Sequence, residues 1–220
     1  MKIKNPWTDI PEQPDFVLPQ DKPYIRSYNA LCDEGAPARV NLLHTPEPRL
    51  GPIHAPVYVL LANPSYDASK PRGEGSRAAR ETELDGARRE DLPHIGIAGN
   101  NAWWRSRVRQ VIAATSVDRA ARGICSVEFF PYRSLKFDHA HIRLPSQTYA
   151  FNMVQQALRD RRLILVMRVA HAWFGALPEL AEQLGKTVFI ANNRRSAYLT
   201  PANLGEVGFN RACEQIALRT

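Results

Sequence analysis

The sequence is poor in cysteine and contains no long apolar run, and both absences restrict what the protein can be. Cys32, Cys125 and Cys213 are its only cysteines, and no two of them form a Cys-x-x-Cys pair. This spacing argues against a disulfide framework, a zinc site or an iron–sulfur cluster. No apolar run approaches the ~20 residues that a membrane-spanning helix needs, so we expect no membrane partner.

Motifs for phosphate and metal binding are also lacking. The sequence has no Gly-x-x-x-x-Gly-Lys-Ser/Thr loop, and Gly73-Glu-Gly75 does not follow a predicted strand. His139-Ala-His141 has no third ligand at a suitable spacing. We therefore expect no metal and no other cofactor. The first residues lack the apolar core of a signal peptide, which predicts a cytoplasmic protein, and we expect a monomer.

The charge balance is the first positive indication of function. The 220 residues carry a formal net charge of +7 and a sequence pI near 9.6, with 44% of them apolar and 23% charged. These apolar and charged fractions are typical of a globular protein. A basic surplus of this size favours a polyanionic partner, DNA or a nucleotide. The alternative is that arginine-rich surfaces reflect the base composition of the genome.

Proline content divides the chain into two regions. Ten of the 17 prolines lie in the first 56 residues, which predicts that residues 1–55 form an extended arm packing on the rest of the protein. Residues 56–220 are expected to form a single domain. Within it, residues 66–93 contain almost no large apolar side chain and are predicted to be a flexible surface loop.

Four short apolar runs predict strands, and residues with helical spacing lie between them. The predicted strands are 57–61, 124–130, 163–167 and 187–191. Strands that alternate with helices imply parallel pairing through crossover connections. The predicted fold class is therefore α/β, a three-layer α/β/α sandwich around a mainly parallel, four-stranded central sheet.

The first predicted strand runs directly into Asn63-Pro64-Ser65-Tyr66-Asp67. Proline ends the strand because it has no backbone N–H and restricts the residue before it. In open α/β sheets, ligands bind at the carboxyl ends of the strands, so these side chains are the first candidates for a site. A strand end with a plain proline turn is the alternative.

The second predicted strand leads into an acidic residue followed by two aromatic ones, Glu128-Phe129-Phe130. An acid near a strand end either pairs with an arginine or points into a binding site. Phe129 and Phe130 would then form a wall on which a flat base stacks. An ordinary core with one ion pair is the alternative interpretation.

Basic and polar residues follow the last predicted strand and also lie on a predicted helix. The loop after the strand contains Asn192, Asn193, Arg194, Arg195 and Ser196. This composition suits an anion. On the helix, Arg105 and Arg109 follow two tryptophans, and we predict that they contact phosphates. The four arginines and the serine are the expected DNA-binding residues.

In this order, the segments resemble the uracil-DNA glycosylase superfamily. Their counterparts in this chain are residues 62–65, 127–129, 151–158, 163–173 and 192–196. The resemblance covers roughly residues 55–218. The Gln-Asp-Pro-Tyr-His motif of the best-known branch is not present, and the Asn-Pro pair looks like that of the branches that use asparagine. Arg194 and Arg195 replace the Pro-Ser of the family's last loop.

The resemblance implies a DNA base-excision glycosylase that binds a flipped base and hydrolyses its N-glycosidic bond. Asn63 would orient the attacking water, Asp67 would be a second water activator, and Asn193 would stabilise the departing base. The residues implied for base binding are Pro64, Ser65, Tyr66, Glu128, Phe129 and Phe130.

Two other classes of function are compatible with the same residues. The first is a non-catalytic nucleic-acid or nucleotide-binding module that has the fold without the chemistry. The second is a metal-dependent nuclease, which is disfavoured because the usual strand-borne Glu-x-Lys is not there.

Overall fold

The computed structural model describes residues 4–69, 77–193 and 196–218. Over these residues the chain is an α/β protein with a five-stranded, mostly parallel sheet and several helices. No helix within the described residues is both long and apolar enough to cross a membrane.

The sheet has five strands, one more than the sequence predicts. They are β1 (Arg49–Leu50), β2 (Val57–Leu61), β3 (Ile124–Glu128), β4 (Leu163–Val166) and β5 (Val188–Ile190). Their order is β1-β3-β2-β4-β5, and β4 pairs in parallel with both β2 and β5. The predicted α/β class with a mainly parallel sheet is therefore confirmed. The additional strand has only two residues, too few to give a periodic signal.

Nine α-helices and two 3-10 helices are described. The α-helices are α1 (Lys22–Ala30), α2 (Arg77–Arg88), α3 (Ile95–Ala98), α4 (Ala102–Arg107), α5 (Arg109–Ala114), α6 (Val117–Gly123), α7 (Gln147–Arg159), α8 (Ala170–Ala176) and α9 (Pro201–Leu218). The 3-10 helices are Pro6–Asp9 and Pro178–Gln183.

Helix α2 corrects the predicted loop over residues 66–93. The helix buries Leu84, Gly86 and Ala87, so its contact face is made mostly of small residues. A face of this kind carries little of the large apolar periodicity from which helices are recognised. Residues 70–76 of the predicted loop lie outside the described residues.

The chain divides into two compact units, each built from separate segments. The first unit comprises Met1–Arg49, Ala62–Arg89 and Glu128–Asn152, and the second comprises Leu50–Leu61, Glu90–Val127 and Met153–Thr220. This division differs from the predicted boundary at residue 55. In the first unit the proline-rich segment packs directly with later residues: Trp7 is buried 5.8 Å from the Tyr132 ring, and Asn5 donates to the Ala87 carbonyl.

The second unit contains most of the sheet and its own apolar core. All five residues of β2 are buried, as expected for a strand covered on both faces. Val57, Val59 and Leu61 share a core cluster with buried residues of α5, α6 and α9. Helix α8 is fixed to β2 by a hydrogen bond of 2.8 Å from Trp173 Nε1 to the Leu61 carbonyl.

Candidate functional site

The strand order identifies the edge of the sheet at which a ligand is expected. From β2 the chain moves to β3 on one side, and from β4 it moves to β5 on the other. The strand order therefore reverses between β2 and β4. In open α/β sheets, ligands bind outside the carboxyl ends of the strands at this topological switch point. Asn63 follows the last residue of β2 by two positions.

The backbone after β4 is strained. The amides of Met167 and Arg168 both donate to the Leu60 carbonyl, at 3.0 and 3.3 Å. The next residue, Val169, has φ 44° and ψ 44° before α8 begins. A β-branched residue rarely adopts this left-handed conformation, and such strain concentrates at functional sites. The strained residue thus lies at the switch-point end of the second unit.

The Asn63 side chain is fixed within the first unit by hydrogen bonds from its amide nitrogen. Nδ2 donates to the Pro64 carbonyl at 3.0 Å, to the Ser134 carbonyl at 3.1 Å and to Ser134 Oγ at 2.9 Å. Carbonyl oxygens only accept, so the two carbonyls define which end of the amide is nitrogen. No described residue donates to Asn63 Oδ1. A half-buried amide therefore presents its acceptor with a fixed orientation.

Arg133 holds the backbone that follows Asn63. Its guanidinium donates to the Ser65 carbonyl at 2.7 Å and to the Thr45 carbonyl at 2.8 Å. It also pairs with Glu47 at 3.1 Å. The turn therefore has a cationic side chain behind it that links two other segments of the first unit.

A second acidic residue approaches the same guanidinium. Glu83 Oε1 lies 3.9 Å from Arg133 Nη2, the same nitrogen that pairs with Glu47. Burial raises the pKa of Glu47, Arg133 lowers it, and the nearby Glu83 raises it further. The Glu47 side chain is partly buried, 21% exposed, and a carboxyl group with a raised pKa is a frequent component of proton-transfer sites. Sequence reasoning missed Glu47, Arg133 and Ser134, because contacts over such separations leave no local signal.

Tyr66 and Asp67, both predicted site residues, are engaged locally. The Tyr66 ring stacks on His44 with centroids 4.9 Å apart. Asp67 is exposed, and its Oδ1 accepts from the Ser69 amide and hydroxyl at 2.9 and 2.7 Å. The Asp67 carboxylate thus caps a turn, which leaves Asn63 as the better candidate for water orientation.

Phe129 and Phe130 do not form the predicted stacking wall. Both rings have no exposed surface. Phe129 packs 5.6 Å from Phe151, and Phe130 stacks on His139 at 4.2 Å with an interplanar angle of 13°. These rings belong to the core of the first unit, because their neighbours occupy the space that a base would need.

The backbone that contains Glu128 lies close to the segment that contains Asn63. The Phe130 amide donates to the Ala62 carbonyl at 2.8 Å, and the Glu128 amide donates to the Pro48 carbonyl at 3.1 Å. The backbone just after β3 therefore runs beside the residue that precedes Asn63. The Glu128 side chain is only 6% exposed, which is unusual for a carboxyl group.

In the second unit, the loop after β5 is organised by one buried side chain, Asn203. Its Oδ1 accepts from the Asn193 amide at 2.8 Å, and its Nδ2 donates to the Ser196 carbonyl at 3.1 Å and the Tyr198 carbonyl at 2.9 Å. Asn193 itself is exposed. Arg194 and Arg195 lie outside the described residues. The predicted loop therefore has a defined scaffold at both of its ends.

The loop after β5 also contacts the helix that carries the predicted phosphate-binding arginines. The Leu199 amide donates to the Arg107 carbonyl at the end of α4, at 2.9 Å. Arg105 is half-buried and donates to Asn100 at 3.0 Å, while Arg109 is exposed at the start of α5. The described end of the loop after β5 is thus joined to α4, the helix that carries Arg105.

Comparisons with known proteins were negative: no family model, no curated protein and no solved structure matches this chain. Among the residues that the structure describes, no group of three or more His, Cys, Asp or Glu side chains is arranged to hold a metal ion.

Proposed function

We propose that this chain is a three-layer α/β/α protein of the uracil-DNA glycosylase type that binds a flipped base and hydrolyses its N-glycosidic bond. The observation that carries the proposal is the fixed amide of Asn63. Its nitrogen is occupied by two carbonyl oxygens and its Oδ1 has no donor among the described residues. A water placed by this oxygen has one orientation, as attack on a sugar carbon requires.

In the proposed reaction, the target base first leaves the stack, at a cost of roughly a few kcal/mol. The water on Asn63 Oδ1 attacks the sugar C1′, the N-glycosidic bond breaks, and the base departs with the bonding electrons. The proton of the water is taken up by the departing base. An amide is too weak a base to remove that proton, so Asn63 contributes orientation only.

Buried Glu128 would read the edge of the base. An ionised carboxylate accepts from an exocyclic amino group, and a carboxyl kept protonated by burial donates to a carbonyl. The sequence resemblance assigns Asn193 to stabilising the departing base and Arg105, Arg109, Arg194, Arg195 and Ser196 to phosphate contacts. The basic balance of the chain, +7, supports a DNA partner.

Excision from damaged oligonucleotides tests the proposal. Uracil- or hypoxanthine-containing DNA is incubated with the protein, treated with alkali, and scored for strand breaks. Asn63→Ala should lower the excision rate by about 100-fold, as expected for a lost water-positioning group. The matched control is Asn152→Ala, because within the described part of the chain that amide bonds only to the Thr148 carbonyl of its own helix. Breaks that persist unchanged in Asn63→Ala would refute the assignment.

A non-catalytic nucleic-acid or nucleotide-binding module is the second candidate. It is favoured by the contact between the loop after β5 and the arginine-bearing helix α4, because a binding surface of this kind requires no catalytic residue. Salt-sensitive DNA binding without strand breaks on any damaged base would support this candidate over the first.

A further inference from the structure

An arginine of α4 lies between two aromatic rings of the second unit. The Arg107 guanidinium carbon is 4.6 Å from the Trp103 ring centroid and 4.7 Å from the Tyr198 ring centroid. A guanidinium at this distance over an aromatic face is attracted by the ring quadrupole. We call this three-residue group, Trp103, Arg107 and Tyr198, the aromatic stack.

Both rings of the aromatic stack reach solvent. Trp103 is 40% exposed and Tyr198 39%, whereas the other three tryptophans, Trp7, Trp104 and Trp173, are buried. Large rings half-open to water are available for contact with a ligand. The exposure of Tyr198 follows from its loop, in which the flanking Ala197 and Leu199 are buried and turn it outward.

The backbone holds the rings in place before any ligand arrives. Asn101 Oδ1 accepts from the Trp103 and Trp104 amides at 3.0 and 3.2 Å, which fixes the start of α4. On the other side, the buried Asn203 amide bonds the Tyr198 carbonyl. A preorganised surface loses little conformational entropy on binding.

The charge around the aromatic stack is positive and lacks an acidic partner among the described residues. Arg105, Arg107 and Arg109 form no ion pair with any described carboxylate. Arg105 Nε donates to Asn100 Oδ1 at 3.0 Å and Arg107 Nη1 donates to Ser106 Oγ at 2.7 Å, and both acceptors are neutral groups. Cationic groups without an acidic partner favour an anion, and exposed rings beside them favour a flat base.

We infer that the aromatic stack binds single-stranded nucleic acid, with unpaired bases on Trp103 and Tyr198 and phosphates on the three arginines. A duplex shields the faces of its bases, so it cannot use the rings in this way, whereas any unstacked base offers a face. The inference rests on the proposed function only for the class of ligand, nucleic acid. It requires no excision chemistry and none of the residues around Asn63.

The test measures the affinity for a short labelled oligothymidylate by fluorescence anisotropy. Trp103→Ala and Tyr198→Ala should each weaken binding roughly tenfold, within the range for loss of one stacking ring. Arg107→Lys should weaken it too, because lysine keeps the charge without the planar group that lies between the rings. The matched control is Tyr24→Ala, a ring on α1 that is 49% exposed and has none of the described arginines over it.

Two further readouts separate stacking from simple charge attraction. The fluorescence of Trp103, the only exposed tryptophan, should change on binding in the wild type and in Tyr24→Ala. The logarithm of the binding constant should fall with log salt concentration with a slope of about −2, from three arginines at about 0.7 each.

Equal affinity in the wild type and both ring variants would overturn the inference, as would a preference for duplex over single strand. A protein that binds the oligothymidylate through the rings but excises no base keeps this inference and loses the proposed glycosylase. A protein that excises bases but binds the oligothymidylate equally well in the wild type and in both ring variants keeps the proposed glycosylase and loses this inference.

Discussion

Acidification should destabilise the protein through His139 of the first unit. The ring has no exposed surface and stacks on Phe130. Its Nε2 lies 2.9 Å from the Ala38 carbonyl, and its Nδ1 accepts from the Asp138 amide at 3.3 Å. Only the neutral ring with hydrogen on Nε2 satisfies both contacts, because a proton on Nδ1 would face the Asp138 N–H.

The size of the effect follows from the pKa. Burial lowers the pKa of His139 from 6.5 to about 4, against smaller opposing contributions from the Ala38 carbonyl and Asp138. Below pH 6.5 the unfolded chain therefore binds a proton that the folded protein refuses, so stability is lost as the pH falls towards 4. The full loss is about 3 kcal/mol, of which about 2 kcal/mol falls between pH 7 and pH 5.

Urea unfolding at pH 7 and pH 5 measures the effect, with wild type compared with His139→Gln. The glutamine variant should be less stable at pH 7 but should lose about 2 kcal/mol less on acidification than the wild type. Asp21 and Glu47, whose pKa values burial raises, act in the opposite direction in both proteins and cancel in the comparison. His141→Gln is the control for removing a histidine from this segment. Parallel losses in wild type and His139→Gln would refute the reasoning.

Two other substitutions, each compared with a control substitution, test the scaffold. Asn203→Ala should destabilise the protein by about 2–4 kcal/mol in urea unfolding, because it removes a buried amide with three hydrogen bonds; Asn152→Ala, on an exposed helix face, should cost under about 1 kcal/mol. Gly51→Ala should cost more than about 3 kcal/mol, since φ is +95° and a Cβ would clash with the Ile124 carbonyl oxygen. Gly175→Ala, whose Cβ would have no atom of the described residues within 4 Å, should instead stabilise helix α8 by up to about 1 kcal/mol in the same measurement.

Buried strands were the most predictable part of the fold. The strand at Val57–Leu61 has the predicted bounds, and the three later strands lie inside their predicted ranges. A strand covered on both faces needs a continuous apolar run, which is visible in one sequence. The edge strand Arg49–Leu50 and helix α2 were missed because neither needs such a run. Their positions depend on the tertiary structure around them.

The candidate site was predictable in its position along the chain and not in its contacts. An Asn-Pro pair after a buried strand indicates where the strand stops. It does not indicate that Ser134, 71 residues away, bonds to Asn63, or that Arg133 bonds to Ser65 across 68 residues. Aromatic residues beside an acid are equally compatible with core and with a binding wall. Phe129 and Phe130 are buried, so they are core residues. The sequence alone cannot distinguish the core from a binding wall, because burial depends on packing against distant residues.

The difference between position along the chain and tertiary contacts also explains why Arg107 was not predicted to bind DNA, whereas Arg105 and Arg109 were. Trp103 and Arg107 are four residues apart on α4, a spacing that places them on one helix face. That pair could have been read from the sequence. Tyr198 could not, because it reaches Arg107 from the loop after β5, 91 residues further along the chain. Among the described residues, neither Arg105 nor Arg109 lies between two aromatic rings. Arg107, which lies between them in the sequence, is therefore the arginine that connects the two rings of this surface.

The structure explains why residue 63 is an asparagine, independently of any reaction. Its neighbours at hydrogen-bond distance include the carbonyl oxygens of Pro64 and Ser134, which can only accept. A carboxylate there would place negative charge against two carbonyl oxygens, whereas an amide donates to both. The side chain must therefore be Asn rather than Asp, although an aspartate would be the stronger base. In the proposed reaction this choice limits Asn63 to orienting water, so the driving force must come from stabilising the departing base.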